Sequence, residues 1–209
     1  MDVATERLDW PLQQWITYYF CNESGIENTG LLYNRVWRPE KSRHNVKYTV
    51  HHNNKRIRLN FFSWVSIHGT GDITFYETMN SELLCEILLE MVQTIREDTG
   101  LTYFKIIHDN ARFYTCAYTQ EFLTRHEISH HFDVRIPPYS PDMNIIEPMF
   151  GYVKRSVHKK GHITDRAEFE RTVVSEWQNI PLDVIENLYF SLPDRMQAII
   201  DSNGHLSRY

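Results

Sequence analysis

The 209-residue sequence has little cysteine and no long run of apolar residues. Its three cysteines, Cys21, Cys85 and Cys116, are widely spaced and odd in number, so they form neither a disulfide framework nor a Cys-x-x-Cys metal motif. No stretch approaches the roughly 18 apolar residues that a transmembrane helix requires, and residues 1–7 lack the basic-then-apolar pattern of a signal peptide. We therefore expect a nuclear or cytosolic protein that is neither secreted nor membrane-bound.

The sequence also lacks internal repeats, low-complexity tracts and linkers rich in Pro, Gly or Ser. Its composition, 42% hydrophobic and 23% charged, is that of an ordinary globular domain. The length fits one domain with an appendage. We expect a core over residues 1–160 and a helical extension of the same domain over residues 161–209.

Charge is unevenly distributed along the chain, although the net charge is only -5. The segment Arg35–Arg58 carries +7 and the segment Lys154–Arg166 carries +4, so the remainder carries -16. Such segregation can create a basic face for a nucleic acid, and it is equally compatible with two solvated surfaces.

The first part of the chain has the hydrophobic pattern of strands. The apolar, aromatic run Trp15–Cys21 predicts a buried strand. Two extended segments, Val46–His52 and Arg56–Ile67, flank the turn-favouring pair Asn53-Asn54, and a further short strand is predicted over Ile73–Thr78. This order predicts an antiparallel meander.

Helical periodicity then alternates with strand patterns. Apolar residues from Leu84 to Ile95 recur at helical spacing, behind Asn80 or Ser81 as N-cap and before Gly100 as terminator. The remaining predicted elements are a strand Thr102–His108, a helix Thr115–His126, a strand Phe132–Ile136, a helix Ile146–His158, a helix capped by Asp165 with Glu168, and a helix opened by Ser191 with Pro193 and ended by Gly204.

This order of elements is that of the RNase H-like fold. Three strands in a meander are followed by alternating helices and strands, which gives an α/β protein. We expect a mixed five-stranded sheet flanked by helices, with a helical C-terminal extension.

Two motifs carry the chemistry. In Ile107–Arg112 (IHDNAR) an acid ends a hydrophobic strand, and Pro137–Glu147 (PPYSPDMNIIE) leads into a helix. Taken singly, these motifs are compatible with an Asx turn and an N-capping loop. Together they resemble the HDNA and SPDxNxIE blocks of the mariner superfamily of DDE transposases. The segment Trp64–Gly71 (WVSIHGTG) is similar to another block of that family.

The resemblance implies Mg²⁺-dependent, or Mn²⁺-dependent, cleavage and strand transfer at DNA phosphodiesters, with Asp109 and Glu147 as metal ligands. Two-metal phosphodiester chemistry needs several carboxylates that converge from different elements, and Mg²⁺ prefers hard oxygen ligands. Asp142, within the second motif, is interpreted as a turn or capping residue.

The first acid departs from the family pattern. The family places Asp-Glu at the end of the first strand, and this chain has Asn22-Glu23 there. An asparagine offers a carbonyl oxygen but no negative charge, so we expect weakened metal binding and absent or severely reduced activity at Asn22. Successive strand residues point to opposite faces, so Glu23 is expected to point away from the site.

The basic residues are candidates for DNA contacts. Lys154 lies seven residues after Glu147 and therefore on nearly the same helix face. The expected DNA-binding residues are Lys154, Arg155, Lys159, Lys160, Arg56 and Arg58.

Three functions remain open from the sequence. The first is an impaired mariner-type transposase catalytic domain that binds DNA, with a homodimer as a further expectation. The second is a transposase-derived, non-catalytic scaffold for DNA or protein partners in a nuclear complex. The third, less favoured, is an unrelated RNase H-like nuclease.

Overall fold

The computed structural model describes residues 2–28, 39–42, 56–109, 111–133 and 141–203. The strand expected over Val46–His52 and the helix terminator Gly204 lie outside these residues.

A mixed sheet forms the centre of the described structure. Strand β1 (Tyr18–Glu27) pairs antiparallel with β2 (Arg58–Ser66) and parallel with β5 (Lys105–Ile107). The short strands β3 (Gly69–Thr70) and β4 (Thr74–Tyr76) both pair with β2, so the described part of the sheet has five strands.

Strand β1 begins later and ends later than the sequence predicts. Trp15 belongs to a short helix, α2 (Leu12–Trp15), whose N-cap is Pro11. The strand extends to Glu27 because its polar second half pairs with β2, from Phe20 opposite Val65 to Glu27 opposite Arg58. Periodicity alone did not find this half, since it contains few apolar residues.

The third strand of the meander is broken in two at Gly71. The backbone at Gly71 lies directly over the indole of Trp64, where an added Cβ would lie 2.0 Å from the ring. Glycine therefore lets the chain cross Trp64 before β4 resumes pairing with the first half of β2.

Helix α3 (Ser81–Thr99) has the ends that the sequence predicts. The side chain of Asn80 accepts a hydrogen bond from the backbone N–H of Leu83, and Gly100 ends the helix with a left-handed φ of 65°. Its apolar residues, from Leu84 to Ile95, are buried against the sheet.

The other described helices pack on the two faces of the sheet. They are α1 (Asp2–Arg7), α4 (Arg112–Thr115), α5 (Ala117–Arg125), α6 (Ile146–Lys159), α7 (Arg166–Gln178), α8 (Leu182–Phe190) and α9 (Leu192–Asp201). Asp165 caps α7 by accepting from the backbone N–H of Glu168, as expected. Of the strand expected over Phe132–Ile136, Phe132 forms a parallel bridge with Ile106. Residues 134–136 lie outside the described residues.

The sheet separates two hydrophobic cores. On one face, Phe20 and Phe61 pack with the C-terminal helices, including Phe150 and Trp177. On the other face, Tyr19, Cys21 and Phe62 pack against helices α3, α4 and α5. The buried residues that these helices contribute include Leu84, Leu88, Val92, Tyr114 and Leu123. Residues on β1 thus alternate between the α6 face and the α3 face.

None of the described helices is long and apolar enough to cross a lipid bilayer.

Candidate active site

Asn22 and Glu147 meet on the α6 face of the sheet, and Asp109 lies beside them at the end of β5. Asn22, in the middle of β1, is buried, and its side-chain Nδ2 donates a hydrogen bond to Oε1 of Glu147 at 2.6 Å. Strand β5 runs parallel to β1 with Ile107 opposite Phe20, so the end of β5 brings Asp109 level with Asn22. Three elements, β1, β5 and α6, therefore meet at one place.

Asn144 fixes the start of α6 beside β1. This buried residue donates from its side chain to the carbonyl of Cys21 at 3.4 Å, and its own oxygen accepts from the backbone N–H of Ile146. These two contacts tie the helix start to the strand that carries Asn22, which places Glu147 in the first helical turn against Asn22. The backbone carbonyl of Asp142, in the preceding turn, accepts from Arg195, so Asp142 has the turn position that the sequence predicts.

Asp109 is exposed at the end of β5, where its Oδ1 accepts from the backbone N–H of Ala111 at 3.1 Å. Its neighbour His108 is buried and stacks on the ring of Tyr114, with centroids 4.1 Å apart. Burial lowers the pKa of His108, while the nearby Asp109 acts in the opposite direction.

The surroundings of Glu147 raise the pKa of its carboxyl above the ordinary value. Burial raises the pKa of its carboxyl, and the charge of Asp109 raises it further. The ammonium of Lys154 and the hydrogen bond from Asn22 act in the opposite direction. Lys154 is itself half-buried. Desolvation and the nearby guanidinium of Arg58 lower its pKa, while the negative charge of Glu147 acts in the opposite direction.

Glu23 points to the α3 face, as strand alternation predicts, and lies beside Tyr114. Burial raises its pKa to about 7, and the charges of Asp109 and Glu147 add to the shift. Its Oε1 is buried without a hydrogen-bond partner among the described residues. Asp109, at the edge between the two faces, therefore interacts electrostatically with both glutamates.

At position 22 the described residues do not complete a two-metal centre. The carbonyl oxygen of Asn22 accepts from the backbone N–H of Glu23 at 2.8 Å, while its amide nitrogen donates to Glu147. If the amide were rotated by half a turn, its oxygen would face the Glu147 carboxylate and its NH₂ would face the Glu23 N–H, and both contacts would be repulsive. The unrotated orientation is therefore favoured. Asn22 thus presents a donor where a metal ion needs an acceptor. No group of three or more His, Cys, Asp or Glu side chains suited to a metal occurs in the described part of the chain.

The structure divides the expected DNA-binding residues into two groups. Glu147 and Arg58 both lie close enough to Lys154 to shift its pKa. Arg155, the next residue of α6, is exposed. Arg56 instead pairs with Glu27, through contacts of 3.0 and 2.5 Å, and Lys160 pairs with Glu176 at 2.6 Å. Lys159 is exposed at the end of α6.

Sequence reasoning did not find the contribution of Arg58 to this electrostatic environment. Arg58 and Lys154 are far apart in the sequence, and only the packing of α6 across the sheet brings them together. The charge-dense segment ending at Arg58 was the available signal, but charge density alone does not say which basic residue faces the acids.

A model of the DDE superfamily endonucleases matches residues 17–170. The chain belongs to this family. The matched region contains Asn22, Asp109 and Glu147.

Two transposases are related to this chain over nearly its whole length. The Tc1 transposase of Caenorhabditis elegans is 28% identical over 214 residues, which cover 99% of this chain and 75% of the relative. The Tcb2 transposase of Caenorhabditis briggsae is 27% identical over 217 residues, with the same two coverages. The expected resemblance to DDE transposases of the mariner superfamily is confirmed.

Solved structures confirm the RNase H-like fold of this DDE domain. The catalytic domain of the Mos1 mariner transposase superposes with a TM-score of 0.72 at 11% identity, covering all of this chain and 90% of that one. The mariner Mos1 paired-end complex with Mg superposes with a TM-score of 0.76 at 15% identity, covering 97% of this chain and 59% of that one.

Proposed function

We propose that this chain is a Tc1/mariner-type transposase catalytic domain in which metal-dependent DNA cleavage is lost or severely reduced at Asn22. Family membership supports the ancestry, and the relatives are transposases. Structures of Mos1 complexes with Mg and with Mn support Mg²⁺ or Mn²⁺ as the metal of the ancestral reaction. We retain Asp109 and Glu147 as the two remaining metal ligands, with weakened binding at the third position.

The observation that carries the proposal is the hydrogen bond from Asn22 to Glu147, at 2.6 Å. A carboxylate at position 22 would be drawn to Glu147 only through a shared cation, because two ionised carboxylates repel. The amide removes that requirement, since its N–H satisfies one Glu147 oxygen directly. One Glu147 oxygen is therefore occupied by a protein donor, and we propose that this contact weakens metal binding beside position 22.

The domain retains features of a DNA-binding surface. Lys154 and Arg58 lie near Glu147, with Arg58 also 4.0 Å from Glu27, and Arg155 and Lys159 are exposed on α6. We propose that these residues contact phosphates, with smaller roles for Arg56 and Lys160, whose charges are offset by Glu27 and Glu176. The Mos1 structures include paired-end complexes with DNA ends, so we further propose that two copies pair on DNA, in the nucleus.

The second candidate function is a non-catalytic scaffold that binds DNA or a protein. The same amide favours it, because a domain without a working metal site can still keep its fold and basic surface. Both proposals rest on the asparagine at position 22. They differ in whether a carboxylate at that position would restore DNA cleavage.

The test is nicking of supercoiled DNA in Mg²⁺ or Mn²⁺. Three proteins are compared: the chain as it is, Asn22→Asp, and Asn22→Asp combined with Asp109→Ala. We expect Asn22→Asp to nick DNA at least about a hundredfold faster than the starting chain, because it returns a hard anionic ligand to the metal site. The double variant should be inactive.

Each result separates the candidates. Nicking by Asn22→Asp that is lost in the double variant supports the impaired-transposase proposal. Equal nicking by the unchanged chain would contradict the loss of activity. Absence of nicking in all three, with DNA binding retained and reduced by Lys154→Glu but not by Glu176→Gln, supports the scaffold.

A further inference from the structure

A groove lies on the α3 face of the sheet, away from Asn22 and Glu147. It is a cavity of about 520 Å³ bounded by the start of β1, the turn after β2 and the end of α3, with Tyr19, Trp64, Asp98 and Leu101 in its walls. A smaller cavity of about 30 Å³ is also lined by Trp64, together with Asp72 and Glu90. Trp64 is shared by both.

The aromatic wall is held in a fixed place. The ring of Tyr19 lies 5.7 Å from that of Trp64 and 5.4 Å from that of Phe104. The backbone at Gly71 covers part of the indole, and the carbonyl of Gly71 is in turn bound by Trp177 at 2.7 Å. A rigid aromatic surface loses little conformational freedom when a guest stacks on it.

The polar groups of the groove favour a positively charged guest. The backbone N–H of His68 is bound to Ser66, and that of Leu101 is bound to Thr99, so these donors are already used. Asp98 offers a carboxylate, and it lies in the last turn of α3, at the negative end of the helix dipole. Its charge reaches Tyr19, where it adds to the raised pKa of the hydroxyl.

The surroundings of the groove are acidic. Glu90 and Glu97 are exposed on the C-terminal half of α3, whereas Glu82 and Glu86 lie near its other end, about 18 Å or more along the helix from Asp98. The one basic residue in the last turn, Arg96, is turned away and contacts the ring of His131 at 2.9 Å. A DNA strand would be repelled here, whereas a basic segment of a protein would be attracted.

We propose that this groove binds an arginine side chain from a basic segment of a protein partner, with the guanidinium stacked on Trp64 and paired with Asp98. Arginine fits better than lysine because its planar, weakly hydrated guanidinium stacks on an aromatic face while donating to a carboxylate. The volume lies within the range of ordinary ligand pockets. This inference does not depend on whether the domain cleaves DNA.

The test uses the ¹⁵N-labelled 209-residue chain titrated with N-acetyl-argininamide and followed by NMR. We expect saturable shifts at the indole N–H of Trp64 and the amides of Gly69 and Leu101, with a Kd on the order of millimolar for so small a probe. The citrulline analogue, a neutral isostere, should cause no saturable shift. The lysine analogue should bind more weakly.

Variants at exposed positions of α3 separate a specific site from general acidity. Asp98→Asn should weaken binding about fivefold, and Asp98→Lys should abolish it. Glu97→Gln is the matched control, since it removes one charge from the same turn but does not line the groove, and it should leave the Kd unchanged. Both changes lie on the helix surface, so the melting temperature should stay within a few degrees.

The proposal is overturned if citrulline binds as well as arginine, or if Glu97→Gln weakens binding as much as Asp98→Asn. Equal affinity for the lysine analogue would overturn the guanidinium assignment. Shifts confined to α6 would place the cation at Glu147 instead. A single-stranded oligonucleotide that produced the same shifts at Trp64 would also overturn it, in favour of a nucleic-acid guest.

Discussion

Asn22 and Glu23 are neighbours on β1 but lie in opposite environments. Asn22 points to the α6 face, where both ends of its amide are hydrogen-bonded, to Glu147 and to the backbone N–H of Glu23. Glu23 points to the α3 face, where its Oε1 is buried without a partner among the described residues and its pKa is raised to about 7. Position 22, which faces Glu147, therefore carries no charge, whereas the neighbouring Glu23 carries a poorly solvated carboxyl.

The lesson of this pair is that a one-residue step along a strand changes the chemistry completely. A carboxyl at position 22 faces Glu147 and Lys154, whereas a carboxyl at position 23 faces Tyr114 and Cys21. Glu23 therefore does not replace the missing acid by proximity in sequence, because the pleat directs it to the other core.

The largest effect is expected from Asn22→Asp in the absence of divalent cations. The change removes a hydrogen bond to a charged group and sets a second carboxylate against Glu147. We expect the free energy of unfolding to fall by about 4 kcal/mol, measured by urea denaturation in EDTA. Added Mg²⁺ should recover much of this loss in the variant and change the starting chain little.

The matched control is Asn187→Asp on α8. It makes the same chemical change at an exposed position, where water solvates the new carboxylate, so stability should change by less than about 1 kcal/mol. An Asn22→Asp protein as stable in EDTA as the starting chain would show that the amide makes no net contribution at the site.

The next effect is expected from Glu23→Gln, and it depends on pH. Below the pKa of an unfolded glutamate, both states are protonated and the change is neutral. As pH rises towards 7, the unfolded chain ionises while folded Glu23 keeps its proton, so the starting chain loses stability and the variant does not. Above pH 7 the variant should be more stable by about 3 kcal/mol.

Glu27→Gln, on the same strand and face, should behave in the opposite way. Its pKa is lowered by the hydrogen bond from Arg56, so its charge contributes a small stabilisation that is lost as pH falls. Parallel pH profiles of unfolding for the two variants would disprove the assignment of the Glu23 shift to burial.

The smallest effect is expected from Lys154→Met, which tests the α6 side of the comparison. Removing the ammonium should raise the pKa of Glu147 further, because Lys154 is the largest influence that lowers it. Stability should change by less than about 1 kcal/mol, since the desolvation of Lys154 offsets part of its attraction. The measurement is the ¹³C chemical shift of the Glu147 carboxyl against pH.

Arg155→Met removes a charge from the next, exposed position of α6 and should leave that titration unchanged. Equal shifts in both variants would mean that Glu147 responds to the general potential of the helix and not to Lys154.

Much of the fold could be predicted from local signals. The caps of α3 and α7 were set by Asn80, Gly100 and Asp165, whose side chains or backbone satisfy helix ends locally. The second half of β1 and the break at Gly71 could not be predicted, because both depend on β2 lying alongside. The division of the chain at residue 160 stays a prediction.

Residue types in short motifs were enough to predict the family, Asp109 and Glu147 as candidate ligands, and an uncharged side chain at position 22. The hydrogen bonds of the Asn22 amide, the basic residues near Glu147, and the shared groove of Trp64 and Asp98 became visible only in the folded chain. Those outcomes depend on contacts between residues far apart in the chain, and such contacts are fixed only when helices pack on both faces of the sheet.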